Sequence, residues 1–293
     1  MKAVFHLGAH DTDGEALIES LTVNGKILRE HRVEAVENRR HQGIFSEALN
    51  ALQGGTSTHE MEQMMLDAVL ESDRTPDRVI FSSPGFLGLP HRMLSANGLY
   101  YSAPERILRL INLLPSAEVE FAIGLKNPAL LIAHVQERQP NTPYEQLMFN
   151  IDPLALRWNE AFRRMLQAAG SRPITVWAHE DTPLIWPELL RRIAGLDASE
   201  VMIDQMKMAQ LLLPHAAVQQ VRAKMREYGP AITVSQRREL IEAALVSHAD
   251  PAALTAPVDL PGWSQDLVDE ITALYHADLA EIAALPGVEF ISA

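Results

Sequence analysis

Short apolar segments alternate with amphipathic helical segments along the first two thirds of the sequence. Four of the apolar segments predict buried strands: Lys2–Leu7, Arg78–Ser83, Glu118–Leu125 and Pro173–Ala178. Between and around them, apolar residues recur at helical spacing in Glu15–His31, Met61–Leu70, Ala103–Leu114, Ala129–Glu137 and Asp152–Ala169. Repeated strand, turn and helix favours parallel strands joined by right-handed crossovers. The pattern therefore predicts an α/β fold, a three-layer sandwich with a parallel sheet flanked by helices.

The C-terminal third has a different pattern. From Asp197 to Ala284 it reads as almost wholly helical, Ala249–Gly262 is rich in Pro and Ala and predicts a surface loop, and Val288–Ile291 predicts a short closing strand. We therefore expect one domain over residues 1–293, with a sheet core over 1–196 and a largely helical part over 197–293.

Composition narrows the classes of partner. The net charge of −13 disfavours nucleic-acid binding, which needs a cationic surface. No apolar run reaches the length of a membrane span, and no signal-peptide pattern precedes the first strand, so we expect a cytoplasmic protein that binds no membrane. The absence of cysteine excludes disulfides and thiolate metal sites. A small molecule or a carbohydrate remains as the expected partner, and the oligomeric state stays open.

Polar residues follow each of the four predicted strands. They are His10–Asp13, Ser82–Ser83, Lys126–Asn127 and His179–Asp181. Ligands of open parallel sheets bind outside the carboxyl ends of the strands. The sequence therefore predicts a ligand site at this edge.

Two of these segments resemble one family. His6-Leu7-Gly8-Ala9-His10 with Thr12, and the later Lys126-Asn127-Pro128, are similar to motifs of bacterial sulfotransferase-like proteins of the P-loop fold. The resemblance implies a P-loop-type sheet, the donor 3′-phosphoadenylyl sulfate (PAPS) and a hydroxylated, carbohydrate-like acceptor. It also implies cofactor-binding positions at Gly8, Thr12, Gly14, Lys126 and His134.

The first loop departs from that family in its charges. Asp11 stands where the family has lysine, Asp13 where it has glycine, and Gly14 and Glu15 where it has hydroxyl residues. Exchanging a cation for an anion about 4 Å from a phosphate costs roughly 8 kcal/mol at an effective dielectric of 20, and the helix dipole offsets only about 1 kcal/mol. We therefore expect a degenerate member with weak or absent PAPS binding.

An active PAPS-dependent sulfotransferase is the alternative. The resemblance places His6, His10 and Glu15 as candidate catalytic bases, and His91 and His179 follow from neighbouring strand ends. The leaving group would then need a cation from outside the first loop, such as Lys126 or Arg92.

Other interpretations of the same residues remain open. His6, His10, Asp11, Asp13 and His179–Asp181 could gather around a divalent metal at one edge of the sheet. The loop with His10, Asp11 and Asp13 is similar to that of zinc-dependent N-acetylglucosamine deacetylase-like proteins, which implies a metal-dependent hydrolase. Asp11 or Thr12 could instead cap the first helix, and His6 could be a hydrogen-bonded core residue. A non-catalytic binding protein on the same scaffold is the third possibility.

Overall fold

The computed structural model describes residues 1–13, 15–72, 74–229, 232–250 and 258–293. The fold is α/β, with a six-stranded parallel sheet flanked by helices on both faces. The strands are β1 Lys2–His6, β2 Val33–Val36, β3 Arg78–Ser82, β4 Leu94–Ser95, β5 Gly98–Leu99, β6 Glu118–Leu125, β7 Ile174–Ala178 and β8 Val288–Ile291. The order in the large sheet is β2-β3-β1-β6-β7-β8, while β4 and β5 form a separate antiparallel pair.

The predicted strands are confirmed as β1, β3, β6, β7 and β8. Strand β2, which pairs with β3 at one edge of the sheet, was not predicted. This strand is four residues long and lies between the polar segments His31-Arg32 and Glu37–Arg40, without a Pro-Gly turn such as the one that precedes β8. Because β1 lies between β3 and β6, the loop that follows β1 is central at the carboxyl edge.

The helices of the described residues cover both faces of the sheet. They are α1 Ala16–Val23, α2 Gly25–Glu30, α3 Asn38–Leu52, α4 His59–Val69, α5 Ala103–Leu113, α6 Pro128–Arg138, α7 Tyr144–Met148, α8 Trp158–Ala169, α9 Thr182–Ala194, α10 Ala209–Leu212, α11 His215–Tyr228, α12 Val234–His248 and α13 Gln265–Ala283. In the described part of the chain, no helix combines the length and the apolar character needed to cross a bilayer.

Two helix predictions need correction. The helix predicted over Glu15–His31 is two helices, because the buried Asn24 ends α1 and uses its side chain to bond Ser20 O at 2.6 Å and Ile203 N at 2.6 Å. The helix predicted from Asp152 begins at Trp158, since Asp152 caps a short 3₁₀ turn instead. Helix α3 was not predicted at all.

The two faces of the sheet bury separate cores. Phe5 on β1 stacks on Phe81 at 5.5 Å and on Phe121 at 6.2 Å between ring centroids, on the face that α3, α5, α6 and α8 cover. Val4 and Ile80 point to the opposite face, against α1 and α9. This alternation follows from the period of two in a strand.

The C-terminal part contributes to both the sheet and a third core. Helices α10, α11 and α12 enclose a small apolar cluster that includes Val218 and Ile241. Helix α13 then packs against α6 and α8, where Asp278, 1% exposed, pairs with Arg157 at 2.5 Å. Strand β8 closes the sheet beside β7. Residues 251–257 of the predicted loop lie outside the described residues.

Candidate functional site

The loop between β1 and α1 occupies the middle of the carboxyl edge. Its path depends on Gly8, which has a φ of +55°, and on Asp11, which has a φ of +60°. A Cβ atom on Gly8 would lie 3.1 Å from the Cα of Pro84, so the loop passes directly against the turn that follows β3. Glycine meets both requirements, because it accepts a positive φ and has no side chain.

The carboxylate of Asp11 turns inward and meets three basic side chains from the end of β6 and from α6. His134 Nδ1 lies 2.8 Å and Lys126 Nζ 3.8 Å from its Oδ2, and Arg138 contacts Oδ1. Lys126 Nζ also donates to the Asp11 carbonyl at 2.6 Å. The side chains of Asp11 and Lys126 are 6% and 7% exposed. We call Asp11, Lys126, His134 and Arg138 the Asp11 cluster.

The Asp11 cluster carries a net positive charge. Burial lowers the pKa of Lys126, although the Asp11 carboxylate counteracts this. Burial and the charge of Lys126 lower the pKa of His134, which favours its neutral form near pH 7. The Nδ1 atom of His134 also lies 2.8 Å from Lys126 Nζ, so it either donates to Asp11 or accepts from Lys126. One carboxylate thus faces two cations, Lys126 and Arg138, which compensate the negative charge of Asp11.

His10 is held by groups on another side of the loop. The hydroxyl of Tyr100 accepts from the His10 backbone N at 2.9 Å and lies 2.8 Å from its Nδ1. Nε2 lies 3.1 Å from the carbonyl oxygen of Gly88. A neutral imidazole that donates from Nε2 and accepts at Nδ1 satisfies this set, in agreement with the burial that lowers the pKa of His10. Neither ring nitrogen is free to act as a base in this conformation.

His6 belongs to a buried polar chain beneath the loop. Its Nδ1 lies 2.8 Å from Ser82 Oγ, and its Nε2 lies 3.3 Å from Asp13 Oδ2. Burial alone would raise the pKa of Asp13, but the charge and hydrogen bond of His6 bring it below its usual value. The side chains of His6 and Asp13 have no exposed area, so this pair lies out of reach of a substrate.

The remaining first-loop positions have local roles. Thr12 Oγ1 lies 2.6 Å from the Ala9 carbonyl oxygen and 2.9 Å from Asp13 Oδ1, and can donate to either. Helix α1 begins at Ala16 after Glu15, without a hydrogen bond from a capping side chain, so the expectation that Asp11 or Thr12 caps it is wrong. Glu15 is exposed and lines a different surface cavity. Gly14 lies outside the described residues.

The other strand ends are bound to their neighbours. The side chain of Asn127 accepts from Ala129 N at 3.0 Å and caps α6. Glu180 accepts from Asn127 N at 2.9 Å, and its other oxygen lies 2.8 Å from the Tyr275 hydroxyl. His91 is exposed on a 3₁₀ turn away from these groups.

Among the proposed metal ligands, His6 and Asp13 meet at 3.3 Å, but the described members of the set do not converge on one point. His10 contacts Tyr100. Asp11 faces the basic side chains of its cluster, and Asp13 faces His6. Across the described ranges, no group of three or more histidine or acidic side chains is arranged to hold a metal ion.

Two neighbouring cavities open beside the first loop. The first, of about 380 Å³, is lined by Gly8–Thr12, by the turn after β3 and by Arg138. The second, of about 350 Å³, lies between α3 and α5 and is lined by Arg106 and Arg109. Both volumes fall within the range of roughly 300 to 1,000 Å³ that is typical of small-molecule sites.

Four residues of this region were not predicted as site residues from the sequence. Arg138 follows His134 by one helical turn, and Arg106 and Arg109 also lie one turn apart, so helical spacing could have revealed each set. Tyr100 gave no such signal, because only the tertiary fold brings it to His10.

No protein-family model matches the chain, and a search among curated proteins finds no significant match.

Proposed function

We propose that this protein is a sulfotransferase-like, P-loop-type protein in which the Asp11 carboxylate replaces the bound donor, so that PAPS binding is weak or absent. One observation carries the proposal: Asp11 lies among Lys126, His134 and Arg138, with its side chain only 6% exposed. By the resemblance, Lys126 and His134 correspond to the positions that hold the 3′-phosphate of PAPS.

The position of the loop supports the same interpretation. It follows the central strand β1 and precedes α1, where the family would bind the phosphosulfate. An anion that enters here must displace Asp11 from its cations or remain beside it. A unit charge about 4 Å from the carboxylate is repelled by about 4 kcal/mol at an effective dielectric of 20. Competition for the same cations therefore adds to the repulsion expected from the loop sequence.

No observation favours either catalytic alternative. An active sulfotransferase needs an accessible base at the donor loop, but both ring nitrogens of His10 are engaged, His6 is buried, and the exposed Glu15 lines a different cavity. A metal-dependent hydrolase needs converging ligands, and the loop residues face different partners. The proposal includes a small-molecule or carbohydrate ligand. It also includes a cytoplasmic location, and cell fractionation would test that location.

Calorimetric titration with adenosine 3′,5′-bisphosphate tests the proposal, with adenosine as the phosphate-free control. We expect a Kd weaker than about 1 mM, which corresponds to less than about 4 kcal/mol of binding free energy. A micromolar Kd that adenosine does not reproduce would overturn the proposal. Thermal shift measurements with zinc, manganese and EDTA test the metal-dependent hydrolase. An unchanged melting temperature under all three conditions argues against that function.

A further inference from the structure

A groove between α3 and α5 contains an arginine without an acidic partner. Within the described residues, the Arg106 side chain forms no ion pair, and its Nε atom is fully buried without a hydrogen-bond partner. Its guanidinium lies across the backbone of Gly88, where a Cβ atom would come within 3.0 Å of it. No side-chain hydrogen bond of Arg106 occurs within the described residues. Because the guanidinium lines the groove, an acceptor on a ligand bound there would stabilise this side chain.

The charges around the groove are mainly positive. Arg109 lines the groove beside Arg106, and the charge of Arg92 also acts on Arg106. Glu105 is the acid that acts on Arg106, but it lies outside the groove and pairs with Arg109 at 2.7 Å. The described lining contains no aspartate or glutamate, although the whole chain has a net charge of −13. This local excess of positive charge favours an anion.

Neutral donors and apolar walls complete the groove. Ser83, 3% exposed, accepts from Gly85 N at 3.1 Å, which leaves its hydroxyl proton available to a ligand. Gln42 reaches the same space from α3. The apolar lining residues that offer exposed surface include Leu49, which is half-buried, and Leu89, which is 54% exposed. A fully hydrated inorganic ion would leave these walls without a contact.

We propose that this groove binds an organic anion in which a carboxylate, sulfonate, sulfate or phosphate group is attached to a compact apolar body. The anionic group meets Arg106, Arg109 and Ser83, and the apolar body packs against Leu49 and Leu89. The volume of about 350 Å³ suits a ligand with one or two rings. This inference goes beyond the loss of donor binding and does not depend on it, because the Asp11 cluster lines none of this groove.

A matched set of probes tests the inference on the full chain. The set comprises 2-naphthoate, naphthalene-2-sulfonate and the neutral 2-naphthalenemethanol, titrated by calorimetry and by ligand-observed NMR. We expect the two anions to bind at least about tenfold more tightly than the alcohol, since a hydrogen bond to a charged group contributes enough for that ratio. Equal binding of the anions and the alcohol would overturn the proposal, as would no detectable binding of either anion.

Variants then locate the site. Arg106→Gln should weaken binding of the anions about tenfold and leave binding of the alcohol unchanged. Arg222→Gln on α11 is the matched control, because Arg222 also has no ion pair among the described residues and lies outside this groove. If Arg106→Gln does not fold, Arg109→Gln and Ser83→Ala should each weaken binding. An equal loss in Arg222→Gln, or no loss in any groove variant, would refute the assignment.

Discussion

Replacing Asp11 by asparagine should change stability and anion binding in opposite directions. The substitution keeps the size of the side chain but removes the charge that faces Lys126, His134 and Arg138. Lys126 is 7% exposed and cannot move readily into water, whereas Arg138 is 73% exposed and can. The main cost is therefore the loss of the partner of Lys126.

The magnitude follows from the geometry of that pair. At the observed 3.8 Å, a unit pair interacts with about 4 kcal/mol at an effective dielectric of 20. The hydrogen bond from Lys126 to the Asp11 carbonyl survives the substitution and compensates part of the loss. We therefore expect Asp11→Asn to lower the free energy of unfolding by about 2 to 3 kcal/mol, somewhat below the 3 to 5 kcal/mol typical of a broken buried pair.

The freed cations should at the same time bind phosphate better. Adenosine 3′,5′-bisphosphate should bind Asp11→Asn more tightly than the wild type, and ligand at about 100 times its Kd should restore about 2.7 kcal/mol of stability. Urea unfolding with and without the bisphosphate, together with calorimetry, measures both effects.

Glu15→Gln provides the control for this experiment. It makes the same change in net charge on the same loop, but Glu15 is exposed and has no side-chain partner within the described residues. We expect it to change stability by less than about 0.5 kcal/mol. The reasoning fails if Asp11→Asn behaves like Glu15→Gln in both assays.

Three further predictions concern groups around the same edge. Burial lowers the pKa of His41 to about 4, so between pH 6.5 and 4 the unfolded state binds more protons than the folded state, and acidification should lower stability by up to about 1.4 kcal/mol per pH unit. Urea unfolding across this range should show the contribution of His41 to the slope, and His41→Gln should reduce the slope, while His10 and His134, whose pKa values are also lowered, maintain the remainder. Gly8→Ala places a Cβ atom 3.1 Å from Pro84 at a φ of +55° and should cost about 1 to 3 kcal/mol in a thermal melt, whereas a cost near zero would contradict the geometry. Tyr100→Phe removes the hydroxyl that bonds His10 twice and should cost about 1 to 3 kcal/mol in denaturant unfolding, and an unchanged midpoint would show that water replaces it.

Periodicity identified the fold because burial imposes it locally. The strands that became β1, β3, β6 and β7 contain apolar runs followed by polar turns, and most residues of each strand are buried in the parallel sheet. Strand β2 and helix α3 escaped detection, since a short edge strand between polar segments and a helix rich in polar residues carry weak signals. The break at Asn24 escaped for another reason: its side chain bonds Ile203, a contact that no local pattern records.

The polar residues at the strand ends did converge on one edge, but their chemistry differed from the expectation. Asp11 was expected to repel an anion through its own charge. It also occupies the cationic pocket that an anion would need, because α6 brings Arg138 and His134 to it. His10 was expected as a base or a ligand, but Tyr100 and the Gly88 carbonyl oxygen engage its two ring nitrogens, and burial lowers its pKa.

By itself, the sequence determined the α/β class, the parallel sheet and the edge where polar groups gather, because each of these depends on local patterns of burial along the chain. Only the tertiary structure decided which charges meet. Asp11 finds its cations more than a hundred residues away, and Arg106 lies in its groove without an acidic partner among the described residues. Electrostatic partners depend on distances of a few ångström between remote segments, and such distances are fixed only when the helices pack on the sheet.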